Sequence, residues 1–216
     1  MKKYDAVLFD LDGTLLYTLP DMADSLNHAL RQNGCGERTL SEVRSFIGNG
    51  VKRLVERSLP GGAAHPAFEA VWAEYKRYYS LHREDTTSVY PGVRELLAAL
   101  KAGGTALAVV TNKPQPDAEP MVRRFFGGLV DVTEGKRSGR ATKPAPDALF
   151  SALTQLGVSP GRAVYVGDSE VDLETAKNAG TDCVLVTWGY RDREQLELCG
   201  AAGRIDVPAE LLRYME

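Results

Sequence analysis

Two carboxylates, Asp10 and Asp12, stand one residue apart at the end of the first apolar run, and Gly13 follows at once. The run, Ala6-Val7-Leu8-Phe9, is apolar throughout, the pattern of a short strand buried on both faces of a parallel sheet. An acid at the mouth of such a strand costs free energy unless a cation or hydrogen bonds compensate it. Two acids and a glycine that permits a sharp turn fit a site that holds a metal or performs chemistry. A simple turn or helix cap uses the same residue types. Three further sets stand after or between other apolar runs. Thr111-Asn112-Lys113 comes after Thr105–Val110, and Gly167-Asp168-Ser169 comes after Ala163–Val166 with Asp172 one helical turn on. Between them Lys143 precedes Pro144, which holds it out of helix. Each set has a plain reading: a cap for Thr111 and Asn112, a solvated lysine beside Lys136, Arg137 and Arg140, a turn and N-cap around Asp168. Four together point to one site, because ligands of open parallel sheets bind beyond the carboxyl ends of the strands.

The elements that must position these residues are legible from periodicity. After Thr14 the pattern turns helical. Met22, Leu26, Ala29 and Leu30 recur at helical spacing behind Pro20 and Asp21, and Thr39-Leu40-Ser41-Glu42 has the form of a capping box. Gly48-Asn49-Gly50 interrupts, Val51 to Leu59 gives a third helical face, and Phe68 to Tyr79 a fourth. This helical module, 17–83, is expected as an insertion into a core made of 1–16 and 84–216. From Pro91-Gly92 onward helices alternate with strands expected at 105–110, 129–132, 163–166 and 183–186. Helices are expected from about Arg193 and Pro208 to finish the chain. Five apolar strands separated by helices predict an α/β fold, a Rossmann-like doubly wound parallel sheet carrying an α-helical cap.

Composition narrows the function. The 216 residues are 44% hydrophobic and 25% charged, the balance of a globular protein, and the net charge of -3 gives no reason to expect nucleic acid or an anionic membrane as partner. No apolar run is long enough to span a bilayer, and the first strand begins too early to leave room for a signal peptide. Cys35, Cys183 and Cys199 are odd in number, widely spaced and without a CxxC, which suits a reduced, cytoplasmic protein with inert thiols. His28, His65 and His82 have no ligand-like spacing, so no zinc site is expected.

Taken in order, Asp10, Asp12, Thr111, Lys143, Asp168 and Asp172 resemble the motifs of the haloacid dehalogenase-type phosphohydrolases over nearly the whole chain, inserted helical cap included. Within that superfamily Asp12-Gly13-Thr14-Leu15-Leu16 with Pro20-Asp21, Phe46-Ile47-Gly48-Asn49-Gly50, and Lys143-Pro144-Ala145-Pro146-Asp147 resemble the phosphoglycolate phosphatases. Tyr17-Thr18 departs from the Asp-Ser frequent at that point. The resemblance implies a Mg²⁺-dependent phosphatase working through an aspartyl-phosphate. Asp10 is then the nucleophile, Asp12 the general acid and base, and Thr111 and Lys143 the partners of the phosphoryl oxygens, with Asn112 beside them. Asp168, the Asp10 carboxylate and the Asp12 backbone carbonyl would hold Mg²⁺, and Asp172 would orient Lys143 or the metal's waters. Without a dication the acids and a phosphate would repel one another by several kcal/mol per pair, even at an effective dielectric of about 20. Gly50 and Lys52 in the cap are candidate substrate contacts; a glycine-rich helix connector and a solvated lysine are the plain alternatives.

The expected partner is a small phosphorylated metabolite, 2-phosphoglycolate first, for a monomer or homodimer. The alternatives are a phosphomutase of the β-phosphoglucomutase type and a broad sugar-phosphate or nucleotide phosphatase. Weaker ones are an Asp-phosphorylated signalling module, which is shorter and lacks a cap, and a catalytically silent binding protein.

Overall fold

The structure is a computed structural model and describes residues 3–48, 50–201 and 203–216. The chain divides into two compact units, Met1–Leu16 with Val89–Glu216, and Tyr17–Ser88. The first is an α/β layer structure. Six parallel strands run in the order β5-β4-β1-β6-β7-β8, where β1 is Ala6–Phe9, β4 Ala106–Pro114, β5 Val132–Lys136, β6 Ala163–Gly167, β7 Asp182–Val186 and β8 Gly203–Ile205. The crossings between units fall in two short strands, β2 (Leu16–Tyr17) and β3 (Ser88–Val89).

Strand alternation accounts for the sandwich. Val7, Phe9, Leu107, Val109, Val164 and Val166 face α5 (Val93–Ala102) and α6 (Gln115–Phe126) through Leu97, Leu100, Met121 and Phe126. Ala6, Leu8, Ala108, Val110, Ala163 and Tyr165 face the other way, onto Leu149, Leu153 and Ala176 of α7 (Asp147–Leu156) and α8 (Glu170–Ala179). Both faces are thus covered, as the uninterrupted apolar runs require. β1 is central, with β4 on one side and β6 on the other, so the strand order reverses beside it. Phe9 is in register with Val109 and with Val166, which brings the residues just beyond these strand ends to one edge.

The second unit holds α1 (Leu19–Gln32), α2 (Leu40–Phe46), α3 (Val51–Ser58) and α4 (Phe68–His82). Thr39 and Glu42 make the capping box at α2, with each side chain bonded to the other residue's backbone N–H. Asp21, buried at the start of α1, accepts hydrogen bonds from the backbone and hydroxyl groups of both Thr86 and Thr87. Those bonds tie Thr86 and Thr87 to the helical unit, which runs to Ser88 where the sequence places its end at 83. Among the described residues no helix is long and apolar enough to cross a membrane.

Four expectations are corrected in the core. The strand expected at 129–132 begins only at Val132. Gly127–Leu129 closes as a 3-10 turn, and Asp131 enters the sheet by bonding both backbone groups of Leu107. β4 continues past Val110 to Pro114 with a register shift against β5, so Thr111, Asn112 and Lys113 are strand residues. A sixth strand, β8, pairs with β7; three residues with an exposed Arg204 give no readable apolar run. The segment Pro208–Met215 is 3-10 helical, while α9 (Arg193–Leu198) is a regular helix.

Candidate active site

The carboxyl ends of β1, β4 and β6 bring the candidate residues together within the core unit. Asp10 leaves β1 with its N–H bonded to the Val166 carbonyl at 2.9 Å. Its carboxylate is only 13% exposed, and Oδ1 lies 3.0 Å from Lys143 Nζ as an ion pair. Burial pushes the Asp10 carboxyl up to about 6, with Lys143 opposing and Asp172 and Asp12 adding to the rise.

Lys143 is carried by the loop before α7, joined to Pro144 by a cis peptide bond. Asn112 clamps that loop: its Nδ2 donates to the Lys143 carbonyl at 3.1 Å, and the Lys143 N–H donates to its Oδ1 at 2.8 Å. The Asn112 side-chain amide is thus engaged on both sides by the Lys143 backbone. Nζ of Lys143 donates to Asp172 Oδ1 at 2.7 Å and to the Tyr165 hydroxyl at 2.9 Å, and that hydroxyl donates to the Val110 carbonyl at 2.8 Å. Burial opposes the ammonium charge, yet Asp10 and Asp172 outweigh it and hold Lys143 well above its ordinary value.

Asp168 follows β6 and is buried. Burial first, then Asp172 and Asp10, push its carboxyl up to about 8, while the Tyr190 N–H, bonded to Oδ2 at 2.7 Å, and Arg191 pull the other way. Space around it is close to nil. A Cβ on Gly13 would overlap Asp168 Oδ2, and one on Gly189 would overlap Asp168 Cβ, so both approaches require glycine. Gly13 also has φ +88°, where a side chain is strained. Asp172, one turn into α8, has both oxygens in use. Oδ1 takes Lys143, and Oδ2 accepts from the N–H groups of Asp168 and Ser169 at 3.2 and 3.1 Å and from the Ser169 hydroxyl at 2.6 Å.

Carboxylate oxygens of Asp10, Asp168 and Asp172 lie within 4.8 Å of one another. Two of these acids are pushed up by burial, and the Lys143 ammonium beside Asp10 is shared with Asp172. An all-oxygen set short of positive charge fits a hard divalent cation held by Asp10 and Asp168, with Asp172 committed to its neighbours. Thr111 is buried beside them, and its hydroxyl accepts the Lys113 N–H at 3.2 Å.

Two contributors have no role in the sequence reading. Lys113 Nζ donates to both oxygens of Asp12, at 3.0 and 3.2 Å. Its place two residues after Thr111 in a strand was the available clue, since alternate residues share a face. The Trp188–Tyr190 loop after β7 is the other: Trp188 Nε1 donates to the Thr14 carbonyl at 3.1 Å, and Tyr190 secures Asp168. In the helical unit Gly50 precedes α3, and Lys52 Nζ sits 5.5 Å above the ring of Phe68. Asn49, part of the same expected loop, lies outside the described residues.

The model of the haloacid dehalogenase-like hydrolase family matches residues 7–186, which takes in Asp10, Asp12, Thr111, Lys113, Lys143, Asp168 and Asp172. The chain belongs to the haloacid dehalogenase-like hydrolases. Phosphoglycolate phosphatase of Nitrosospira multiformis is 38% identical over 201 residues, covering 89% of this chain and 88% of that protein. The phosphoglycolate phosphatase of Pseudomonas putida is 37% identical over 191 residues, 85% of this chain and 70% of the relative. A solved structure from Lactobacillus delbrueckii subsp. bulgaricus superimposes with TM-score 0.94 at 33% identity, over 99% of this chain and 98% of that one. CbbY from Rhodobacter sphaeroides, solved in complex with phosphate, does so with TM-score 0.78 at 32% identity over 96% of each chain. This haloacid dehalogenase-like hydrolase is a phosphatase acting on phosphomonoesters.

Proposed function

We propose that this hydrolase cleaves 2-phosphoglycolate through an aspartyl-phosphate on Asp10, with Mg²⁺ as its cofactor. The observation that carries the reading is the buried Asp10 carboxylate at the end of β1, paired with Lys143 and set within a cluster of acids. An oxygen of Asp10 attacks phosphorus in line, and the bond to the bridging oxygen breaks as Asp12 gives that oxygen its proton, so glycolate leaves as an alcohol. Asp12, now ionised, takes a proton from water as the water attacks phosphorus and the Asp10–phosphorus bond breaks. Lys143 and Thr111 offset the charge on the phosphoryl oxygens in both steps. Asp10, Asp168 and the Asp12 carbonyl would hold Mg²⁺, which supplies positive charge to the transferring group.

The substrate name is supported by the phosphoglycolate phosphatases among the relatives. Gly50 and Lys52 are proposed as cap residues that select it.

Phosphate release over a panel of small phosphomonoesters, with Mg²⁺ and an Asp10→Asn control, tests both levels. The expected result is that 2-phosphoglycolate leads kcat/KM and the control is inactive. Asp10-dependent turnover spread evenly over sugar phosphates and nucleotides would remove the substrate name and leave the mechanism.

A further inference from the structure

Each of the two reacting carboxylates has its own buried lysine. Lys143 pairs with Asp10, and its side chain is 3% exposed. Lys113 pairs with Asp12, and its side chain is 2% exposed. The second pair exists because β4 overruns the sheet. Beyond Val110 the strand continues while its register against β5 shifts. Strand alternation then buries Thr111 and Lys113 and sends Asn112 to the Lys143 backbone. The Lys113 backbone is fixed twice over. Its N–H donates to the Thr111 hydroxyl, and Gly135 of β5 packs so closely that an added Cβ would stand 2.8 Å from the Lys113 carbonyl oxygen. A lysine so enclosed, reaching both oxygens of one carboxylate, restricts how that carboxylate can turn.

We propose that Lys113 is a positioning residue for the general acid and base. It holds the Asp12 carboxyl group in the orientation from which its proton reaches the bridging oxygen of the substrate. As that proton moves to the departing alcohol, negative charge appears on Asp12, 3.0 Å from the Lys113 ammonium. Lys113 forms no bond to phosphorus and gives up no proton; it acts through Asp12.

The proposal rests on the phosphatase reading, and its test separates the two. Protonation by Asp12 matters for an alkyl alcohol, which leaves poorly as an anion, and little for p-nitrophenol, which leaves readily. The value of kcat/KM reports the first chemical step, so it isolates the acid role from the later hydrolysis. For Lys113→Met assayed with Mg²⁺, kcat/KM on β-glycerophosphate falls at least about tenfold further than on p-nitrophenyl phosphate. A structural lysine would lower both alike, so losses equal within about threefold overturn the proposal.

A second comparison uses Asp12→Asn alone and combined with Lys113→Met, a pair that leaves no unmatched buried charge should the single variant fail to fold. If Lys113 acts through Asp12, the alkyl-to-aryl ratio of the double variant equals that of Asp12→Asn. A further drop in that ratio overturns the proposal. The phosphatase reading itself stands or falls on the Asp10→Asn control, whatever Lys113 does.

Discussion

Asp172 and Lys143 form an ion pair of 2.7 Å that is closed to solvent, the two side chains being 0% and 3% exposed. The pair holds Lys143 Nζ 3.0 Å from Asp10, while the other oxygen of Asp172 is bonded by Ser169 and Asp168. Asp172→Asn keeps the shape and removes the charge. Its amide must then turn an NH₂ group either toward Lys143 or toward the two backbone N–H groups, and both arrangements set donor against donor. The expected outcome is a fall in kcat of about 10- to 100-fold. Steady-state kinetics over a range of Mg²⁺ concentrations check it; an unchanged kcat would refute this role for Asp172.

Gly189 and Gly13 leave the space that the Asp168 side chain occupies. Gly189→Ala places a methyl group where the Asp168 side chain begins, so the aspartate must move. Activity is expected to drop at least about tenfold, together with weaker activation by Mg²⁺, since a misplacement on the order of 1 Å is enough for such a loss. A Mg²⁺ titration of the variant distinguishes this from general unfolding, which would lower activity at all Mg²⁺ concentrations by the same factor.

The acid cluster gives the metal-free protein a characteristic pH dependence. Asp10 and Asp168 hold their protons up to about 6 and about 8, far above their range in an unfolded chain, because burial disfavours their charge. Between roughly pH 4 and pH 8 these two groups therefore carry more protons in the folded state than in the unfolded one, and their contribution to stability falls as pH rises. Mg²⁺ requires both carboxylates ionised, so its affinity increases over the same window. Melting temperatures in chelator and in Mg²⁺, at pH 5 and at pH 8, check both signs. The gain on adding Mg²⁺ should be larger at pH 8, and an equal gain at both values would contradict the assignment.

In the helical unit Asp21 joins the start of α1 to the returning segment through four hydrogen bonds from Thr86 and Thr87. Asp21→Ala leaves the buried Thr87 N–H without its acceptor and removes the bonds to the exposed Thr86, at a cost of about 1–3 kcal/mol. Thermal unfolding measures the loss, and amide exchange should quicken first in α1 and at Thr86 and Thr87. A melting temperature within about 1 °C of the parent would refute the role given to Asp21.

What the sequence determined by itself was local or strongly patterned. Ala6–Phe9 could bury both faces only in a parallel sheet, Thr39 and Glu42 close a capping box within one turn, and Gly157 and Gly180 stop the helices they follow. Asp10, Thr111 and Asp168 were legible because each polar set directly follows an apolar run, and Lys143 because a proline comes after it. The tertiary structure decided what lies across the sheet. Lys113 meets Asp12 across 101 positions of sequence, and only the overrun of β4 and its shift against β5 determine that meeting. Tyr190 reaches Asp168 by a backbone N–H, a group that every residue except proline carries and that no side-chain pattern announces. β8 forms because β7 offers it an edge, and its own three residues carry too little apolar surface to mark it. Local propensity is read over one turn or one strand; these contacts depend on register and packing between segments far apart in the chain.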